Sequence, residues 1–361
     1  MAPELRFNPF EASRELKDQR ALFEDCFPEN RGNPTTLDPH YFWKFHCFPA
    51  KPPSFEYGCR SEDGLIGYYA AIPYQYQVGR QRRTAGMVCD VMTGSRARGK
   101  GVFTRLGGYS LEQMKSSSVD FTTGYPIRPE VLPGHLKVGW KVVQKMPIYI
   151  KVLKTRSLLN LKKLGVLSPV GDLAVSALNF LPGLLSAREE SPVEQLSVAE
   201  FLGDESYIPF LERWLQSVPN ALVKDRDFLR WRLGAPETNY RIFAARDSRG
   251  AMVAVCVTRN TVLNGIPALA LLDLMTLPGH ERTFRAIDRQ LGLHALESGA
   301  EVIATMIHPS WAWQYGLHLL AYLRSPFVFS LIVRKLNEAI PDEAIFEPHR
   351  WHTTWLDSDD L

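Results

Sequence analysis

Three cations and two glycines lie within six residues, Arg96-Ala-Arg-Gly-Lys-Gly101, after a short apolar run and before a helix-like pattern. Glycines at a strand-to-helix turn let backbone N–H groups crowd an anion, and the N-terminus of the following helix adds its dipole. The side chains of Arg96, Arg98 and Lys100 raise the local positive field. The spacing therefore predicts a seat for a pyrophosphate, whereas a lone Gly-x-Gly would be equally typical of a tight turn.

Such a seat needs a strand before it and a helix after it. Residues 87–93 predict the strand, and the apolar residues after Gly101 recur on roughly one helical face. Further predicted strands at 55–59, 64–72, 74–78, 119–123 and 142–152 give a meander with crossover helices. This order predicts an α/β fold of the α+β type, with a mixed sheet.

The composition excludes several classes of protein. The net charge of +3 lacks the basic excess of a general nucleic-acid binder. The five cysteines are scattered and never spaced as Cys-x-x-Cys, which favours a reducing compartment and neither a disulfide framework nor a metal site. The first residues lack the apolar core of a signal peptide, and the apolar run 173–185 is shorter than the roughly 20 residues of a membrane-spanning helix. We therefore expect a cytoplasmic protein without a membrane span.

The second half of the chain repeats features of the first in the same order. Tyr57 corresponds to Phe243, Thr93 to Thr276 and Pro147 to Pro326, at offsets of 186, 183 and 179 residues. Phe42-Trp43-Lys44 similarly resembles the segment 229–232. Colinear matches with slowly drifting offsets predict a duplicated domain. We predict one domain at 1–154, a helical connector at 155–195 and a second domain at 196–361.

The two predicted copies differ at the glycine turn. At an offset of 183 residues, Gly99 corresponds to Arg282 and Gly101 to Phe284, while Glu281 stands beside them. A phosphate cannot approach that backbone as closely, and the carboxylate would repel it. The pattern predicts one working site and one degenerate copy.

The turn also carries a resemblance to a known family. Arg96-Ala-Arg-Gly-Lys-Gly101 fits the pattern Gln/Arg-x-x-Gly-x-Gly/Ala of the GNAT superfamily of acyl-CoA-dependent N-acetyltransferases. Residues 5–153 resemble that superfamily throughout, and the segment 137–140 resembles its Lys-x-Gly-Phe ending. Tandem members with one live and one decayed copy are known there. A Rossmann dinucleotide site is disfavoured, because the third glycine and an early β-α-β unit are missing.

The resemblance implies how acetyl-CoA, or another acyl-CoA, would be held. The backbone of Val91, Met92 and Thr93 would pair with the pantetheine arm like an added strand, and one of its N–H groups would hold the thioester carbonyl. The pyrophosphate would lie on the backbone N–H groups of the turn and the first helical residues: Arg98, Gly99, Lys100, Gly101, Val102 and Phe103.

Transfer to an amine also needs a base and an acid. Asp90 lies close to where family members place a carboxylate and is the candidate base, although Asp273 in the second copy favours a structural role shared by both copies. The family's acid, a tyrosine four residues before the glycine of the ending, is replaced here by His135, which can donate a proton near neutral pH. Tyr125 is an alternative acid or substrate contact, or a turn aromatic.

Candidate substrate contacts lie in both copies. Arg128 is a candidate for an anionic substrate or the cofactor, and His308 with Trp311 for a sugar or aromatic pocket, although a tryptophan is more often a core residue. The resemblance implies acetylation of a primary amine on a small molecule, such as an amino sugar or a specialised metabolite. A Fem-type aminoacyl transferase, which uses charged tRNA, and a non-catalytic acyl-CoA-binding or scaffold protein are the alternatives. The oligomeric state stays open, a homodimer included.

Overall fold

The computed structural model describes residues 4–62, 64–126, 128–160, 168–184 and 192–359. The chain divides into two compact units, and each is assembled from three segments. Unit 1 comprises Met1–Gln144, Leu222–Glu237 and Ser330–Arg350, and unit 2 comprises Lys145–Ala221, Thr238–Phe329 and Trp351–Leu361. The predicted boundaries near 154 and 195 stay predictions, and residues 161–167 and 185–191 of the predicted connector lie outside the described residues.

The first part of the chain contains six strands and four α-helices among its described residues. In chain order they are β1 Arg6–Pro9, α1 Ala12–Cys26, α2 Asp38–His46, β2 Phe55–Ser61, β3 Gly64–Val78, β4 Gln81–Thr93, α3 Val102–Ser116, β5 Phe121–Gly124, α4 Leu132–Lys137 and β6 Lys141–Val152.

The remaining described residues add eight strands and eight α-helices. These are α5 Arg156–Asn160, α6 Ser168–Leu184, β7 Val193–Leu196, α7 Val198–Gly203, α8 Tyr207–Ser217, β8 Asn220–Leu222, α9 Arg226–Leu233, β9 Tyr240–Arg246, β10 Met252–Leu263, β11 Ile266–Thr276, α10 Phe284–Glu297, β12 Val302–Met306, α11 Pro309–Gln314, β13 Leu323–Lys335, α12 Asp342–Ile345 and β14 Trp351–His352.

In unit 1 the strands follow the order β1-β2-β3-β4-β5, and residues 332–335 of β13 pair with β5. Neighbouring strands are antiparallel except β4 and β5, which are parallel and joined by the crossover helix α3. Parallel neighbours need such a crossover, because a hairpin reverses the chain. The predicted mixed α/β sheet is confirmed.

Unit 2 repeats this order of elements. Strands β9, β10 and β11 are antiparallel neighbours, α10 crosses over, and β12 lies parallel to β11. The antiparallel strand next to β12 is residues 148–152 of β6. In each unit, therefore, the last strand of the sheet comes from a distant part of the sequence.

Helix α3 buries one face against the sheet of unit 1. At its start, a Cβ on Gly67 of β3 would lie 2.9 Å from Cγ1 of Val102, so the missing side chain lets the helix begin close to the sheet. The buried cluster beneath the helix includes Cys59, Tyr69, Ala71, Val88, Val102, Leu106, Leu111 and Met114. Full burial of one leucine such as Leu106 contributes about 1.5–3 kcal/mol, so this face fixes where the turn before α3 lies.

Within the part of the chain described here, no helix combines the length and the apolar character that crossing a membrane requires.

Candidate functional site

The turn between β4 and α3 adopts a backbone that requires its glycines. Gly99 has φ +75° and Gly101 has φ +73°, in the left-handed region that side-chain-bearing residues rarely adopt. A Cβ on Gly99 would have no neighbour within 4 Å, so open space lies over it. Gly101 is the N-cap of α3, and no side chain caps the helix. The helix N-terminus is therefore presented bare beside the turn.

The backbone N–H groups of this turn divide into two sets. Those of Arg98 and Lys100 turn back to the carbonyls of Ser95 and Ala97, each at 3.4 Å. Those of Val102 and Phe103 belong to the first turn of α3, where a helix provides no partner. An anion at this end of α3 would thus be bound by the helical residues more than by Arg98 and Lys100.

Strands β4 and β5 separate just before the turn. Their pairing covers Ala85–Met87 on β4 and Phe121–Thr123 on β5, whereas β4 continues to Thr93. On its other side, β4 stays paired with β3 up to the pair Gly67 and Thr93. The carbonyl of Thr93 accepts hydrogen bonds from Sγ of Cys26 and Nε of Arg98, both at 3.4 Å. The end of β4 therefore has one edge beside a gap.

A cavity of about 430 Å³ occupies this part of unit 1. It brings together the end of β4, the glycine turn, the start of α3 and the segment after β5. Its lining residues are Cys26, Phe27, Val91, Thr93, Ala97, Arg98, Gly99, Gly101, Val102, Phe103, Thr104, Arg128, Glu130, Val131, Gly134 and Lys137. Eight of the predicted site residues line it, and Met92 instead lies in the core at 1% exposure.

The cavity wall carries more positive than negative charge. Arg98, Arg128 and Lys137 contribute cations, and Glu130 contributes one carboxylate. Two acidic side chains moderate this field: Glu29 pairs with Arg128, and Asp25 accepts the backbone N–H of Ser95 at 2.7 Å. The Ser95 hydrogen bond, with help from Arg98, lowers the pKa of Asp25. The net field still favours an anionic ligand.

Asp90 lies beside the cavity in an irregular part of β4. Tyr68 pairs with Met92 and Ala70 with Cys89, so a β-bulge places Asp90 and Val91 opposite one residue of β3. Asp90 has φ +47°, the left-handed conformation. Its Oδ1 lies 2.9 Å from Nζ of Lys44, and the two side chains are only 12% and 8% exposed.

The two candidate acids are both buried. The ring of His135 packs edge-to-face against Phe103 and Trp140, at centroid distances of 5.0 and 5.2 Å. Burial lowers the pKa of His135 to about 4, so the ring is neutral near pH 7. The hydroxyl of Tyr125 lies 2.9 Å from that of Tyr76. Packing explains His135 better than proton donation does.

The candidate residues of unit 2 are held by their own neighbours. Nε1 of Trp311 donates to the carbonyl of Trp351 at 2.8 Å, and its ring packs against His352. The side chain of His308 caps α11 by accepting the N–H of Ser310. These contacts describe structural roles, and a role in substrate binding stays a prediction.

The turn before α10 contrasts with the turn before α3. Phe284 is the first residue of α10 and is fully buried, and Thr283 before it is helical. Oε1 of Glu281 accepts the N–H of Gly279 at 3.2 Å. A buried ring and a carboxylate thus take the places that two open glycines take in unit 1.

Sequence reasoning missed several lining residues. Cys26 and Phe27 come from the end of α1, and Gly134 and Lys137 come from α4. Gly134 did carry a usable signal, because a Cβ there would lie 2.5 Å from Cε1 of Phe103. Only glycine lets α4 approach α3 this closely.

Comparison with known proteins gives the family of this region. Residues 12–143 match the acetyltransferase (GNAT) domain family. None of the curated proteins matches the chain. The resemblance to the GNAT superfamily is confirmed for the segment that contains the cavity.

Solved structures share the fold over nearly the whole chain. A GCN5-related N-acetyltransferase from Anabaena variabilis has a TM-score of 0.65 at 11% identity, covering 92% of this chain and 73% of its own. One from Kribbella flavida has 0.60 at 16%, covering 93% and 72%. The N-myristoyltransferase of Saccharomyces cerevisiae, with bound myristoyl-CoA, has 0.62 at 11%, covering 93% and 80%. At these identities the likeness establishes the GNAT fold.

Proposed function

Because residues 12–143 form an acetyltransferase (GNAT) domain, we propose that this protein is an acyl-CoA-dependent N-acyltransferase that moves an acetyl group from acetyl-CoA to a primary amine of a small molecule. The observation that carries the proposal is the bare N-terminus of α3, with Gly99 and Gly101 left-handed, at the mouth of a cavity beside the free edge of β4.

The residues present fit acyl-CoA. The open space over Gly99 admits a pyrophosphate to the N–H groups at the start of α3, where the helix dipole favours negative charge. Arg98 and Arg128 face the same cavity and add attraction, and Lys100 lies on the exposed side of the turn. Val91 and Thr93 offer backbone groups to the pantetheine arm. The cofactor would supply the activated thioester carbonyl.

The proton transfers are the less determined part of the proposal. Asp90 is engaged by Lys44, His135 is neutral among aromatic rings, and Tyr125 shares its hydroxyl contact with Tyr76. Of these, Tyr125 follows β5 at the edge of the separation from β4, so we propose it as the group that protonates the leaving thiolate. The acceptor amine would lose its proton to water.

We propose a small amine as acceptor, with an amino sugar or a specialised metabolite as the class. The modest net charge disfavours a charged tRNA, which a Fem-type enzyme would need. We further propose that unit 2 is a second, degenerate copy. The repeated order of elements in the two units supports this, together with the ring of Phe284 at the start of α10.

The test is release of free CoA thiol from acetyl-CoA with glucosamine, tyramine and putrescine as probe amines, alongside calorimetry of CoA binding. Turnover with at least one amine supports the enzyme. Saturable binding without turnover on any amine would favour the non-catalytic acyl-CoA-binding protein. Absence of CoA binding would overturn the site assignment itself.

A further inference from the structure

The ion pair between Lys44 and Asp90 joins the edge of the cavity to a helix far away in sequence. Asp90 holds a left-handed conformation in the middle of a strand, where few residues other than glycine are found. Such a conformation persists only when the surrounding structure fixes it. The carboxylate is held 2.9 Å from the Lys44 ammonium, and both side chains are almost buried.

The bulge lies where the backbone would meet the thioester. Val91, directly after Asp90, lines the cavity, whereas Met92 points into the core. A bulge changes the direction in which the strand presents its groups. The conformation of Asp90 therefore decides what the backbone of Val91 offers to the cavity.

Helix α2 gives the ammonium a firm base. Phe45, next to Lys44, is fully buried, and Tyr41 is 1% exposed with its hydroxyl bonded to Oε2 of Glu56 at 2.5 Å. The ring of Trp43 stacks on Trp231 at 5.0 Å. With its neighbours packed on both sides, the stem of Lys44 has little freedom to withdraw from Asp90.

We propose that Lys44 is a positioning residue, which clamps Asp90 in its left-handed turn so that the Val91 backbone faces the acyl thioester. This rests on the proposed function. In this role Asp90 forms the second half of the clamp and is no general base, because its carboxylate is engaged by an ammonium from another helix. A buried pair is costly to break on one side only, so the test removes both charges together.

The decisive comparison is K44M/D90G against K44M/D90A. Both variants lack both charges, but glycine adopts φ +47° freely and alanine does not. We expect kcat of K44M/D90G to exceed that of K44M/D90A by about tenfold or more, since small misplacements at a reacting centre are expensive. We expect both to bind CoA like the wild type, and K44M/D90G to keep the acidic limb of the pH–rate profile.

The contrary results are distinct. Equal kcat in the two variants would refute the clamp, and loss of the acidic limb in both would make Asp90 the base. Hydrogen exchange of residues 88–93 provides a readout independent of activity. If the wild type fails to bind CoA, the proposed function fails. Faster exchange in K44M/D90A than in K44M/D90G would then still support the clamp, and equal exchange would overturn it.

Discussion

Trp43 and Trp231 each donate the indole N–H to the main-chain carbonyl of the other, at 2.7 and 2.8 Å, while their rings stack nearly parallel. Each lies in the last turn of its helix, α2 or α9, where carbonyls lack an intrahelical partner. The contact is reciprocal, as at the two-fold interface of a symmetric dimer. The two residues also correspond in the predicted repeat, so the contact supports the proposed duplication.

This pair should stabilise unit 1 measurably. We expect Trp43→Phe to lower the free energy of unfolding by about 1–3 kcal/mol, because one carbonyl loses its donor and part of the stack is lost. Trp231→Phe should behave alike. The double variant should cost less than the sum of the two, which denaturant unfolding can measure. Strict additivity would show that the two rings do not interact energetically.

The glycine turn gives the sharpest test of the cofactor site. Gly99→Glu should weaken CoA binding at least about a hundredfold, because a carboxylate over the turn would face the pyrophosphate. Isothermal titration calorimetry with CoA measures this. Gly99→Asn is the matched control, since asparagine tolerates the left-handed conformation without adding charge. It should bind far better than the glutamate variant.

A second control separates binding from folding. Gly79, with φ +62°, ends the β3–β4 hairpin and has no neighbour within 4 Å of a Cβ. Gly79→Glu places the same side chain on an equally strained glycine, and CoA affinity should stay as in the wild type. Unchanged CoA affinity in Gly99→Glu would remove the turn from the site.

Restoring one glycine in unit 2 should not create a second site. In Arg282→Gly the buried ring of Phe284 still begins α10, and Glu281 still holds the N–H of Gly279. We expect calorimetry to give one CoA per chain for this variant. A stoichiometry of two would contradict the account of why unit 2 is degenerate.

The local part of the site could be predicted from the sequence, because a contiguous segment builds it. The strand end, the two glycines and the start of α3 follow one another, so their types and spacing carry the information. The exception within the segment is the pair Arg98 and Lys100, whose N–H groups turn back to Ser95 and Ala97. That detail depends on a tight turn that the glycine pattern does not specify.

The non-local part could not be predicted, because nothing in the spacing links its members. Asp90 and Asp273 occupy corresponding positions, which suggested one structural role for both. Their contacts differ, since Asp90 pairs with Lys44 and Asp273 accepts the hydroxyl of Thr354 at 2.8 Å. Likewise, β13 completes the sheet of unit 1 from two hundred residues away, as the pair of Val333 with Thr123 shows.

Burial of His135 predicts a specific dependence of stability on pH. Its pKa falls from 6.5 to about 4 on folding, so between these values the unfolded chain binds a proton that the folded chain refuses. Stability conferred by the neutral ring is complete above pH 6.5 and is lost as the pH falls towards 4. The total is up to about 3 kcal/mol, at 1.36 kcal/mol for each pKa unit.

His135→Phe removes this titration while keeping an aromatic ring between Phe103 and Trp140. Denaturant unfolding at pH 8 gives the reference, because neither state of the wild type protonates this ring there. From pH 8 to pH 5 the wild type should lose about 2 kcal/mol more than His135→Phe. Parallel loss in the two proteins would mean that the ring titrates normally, and His135 would then regain its place as a candidate acid.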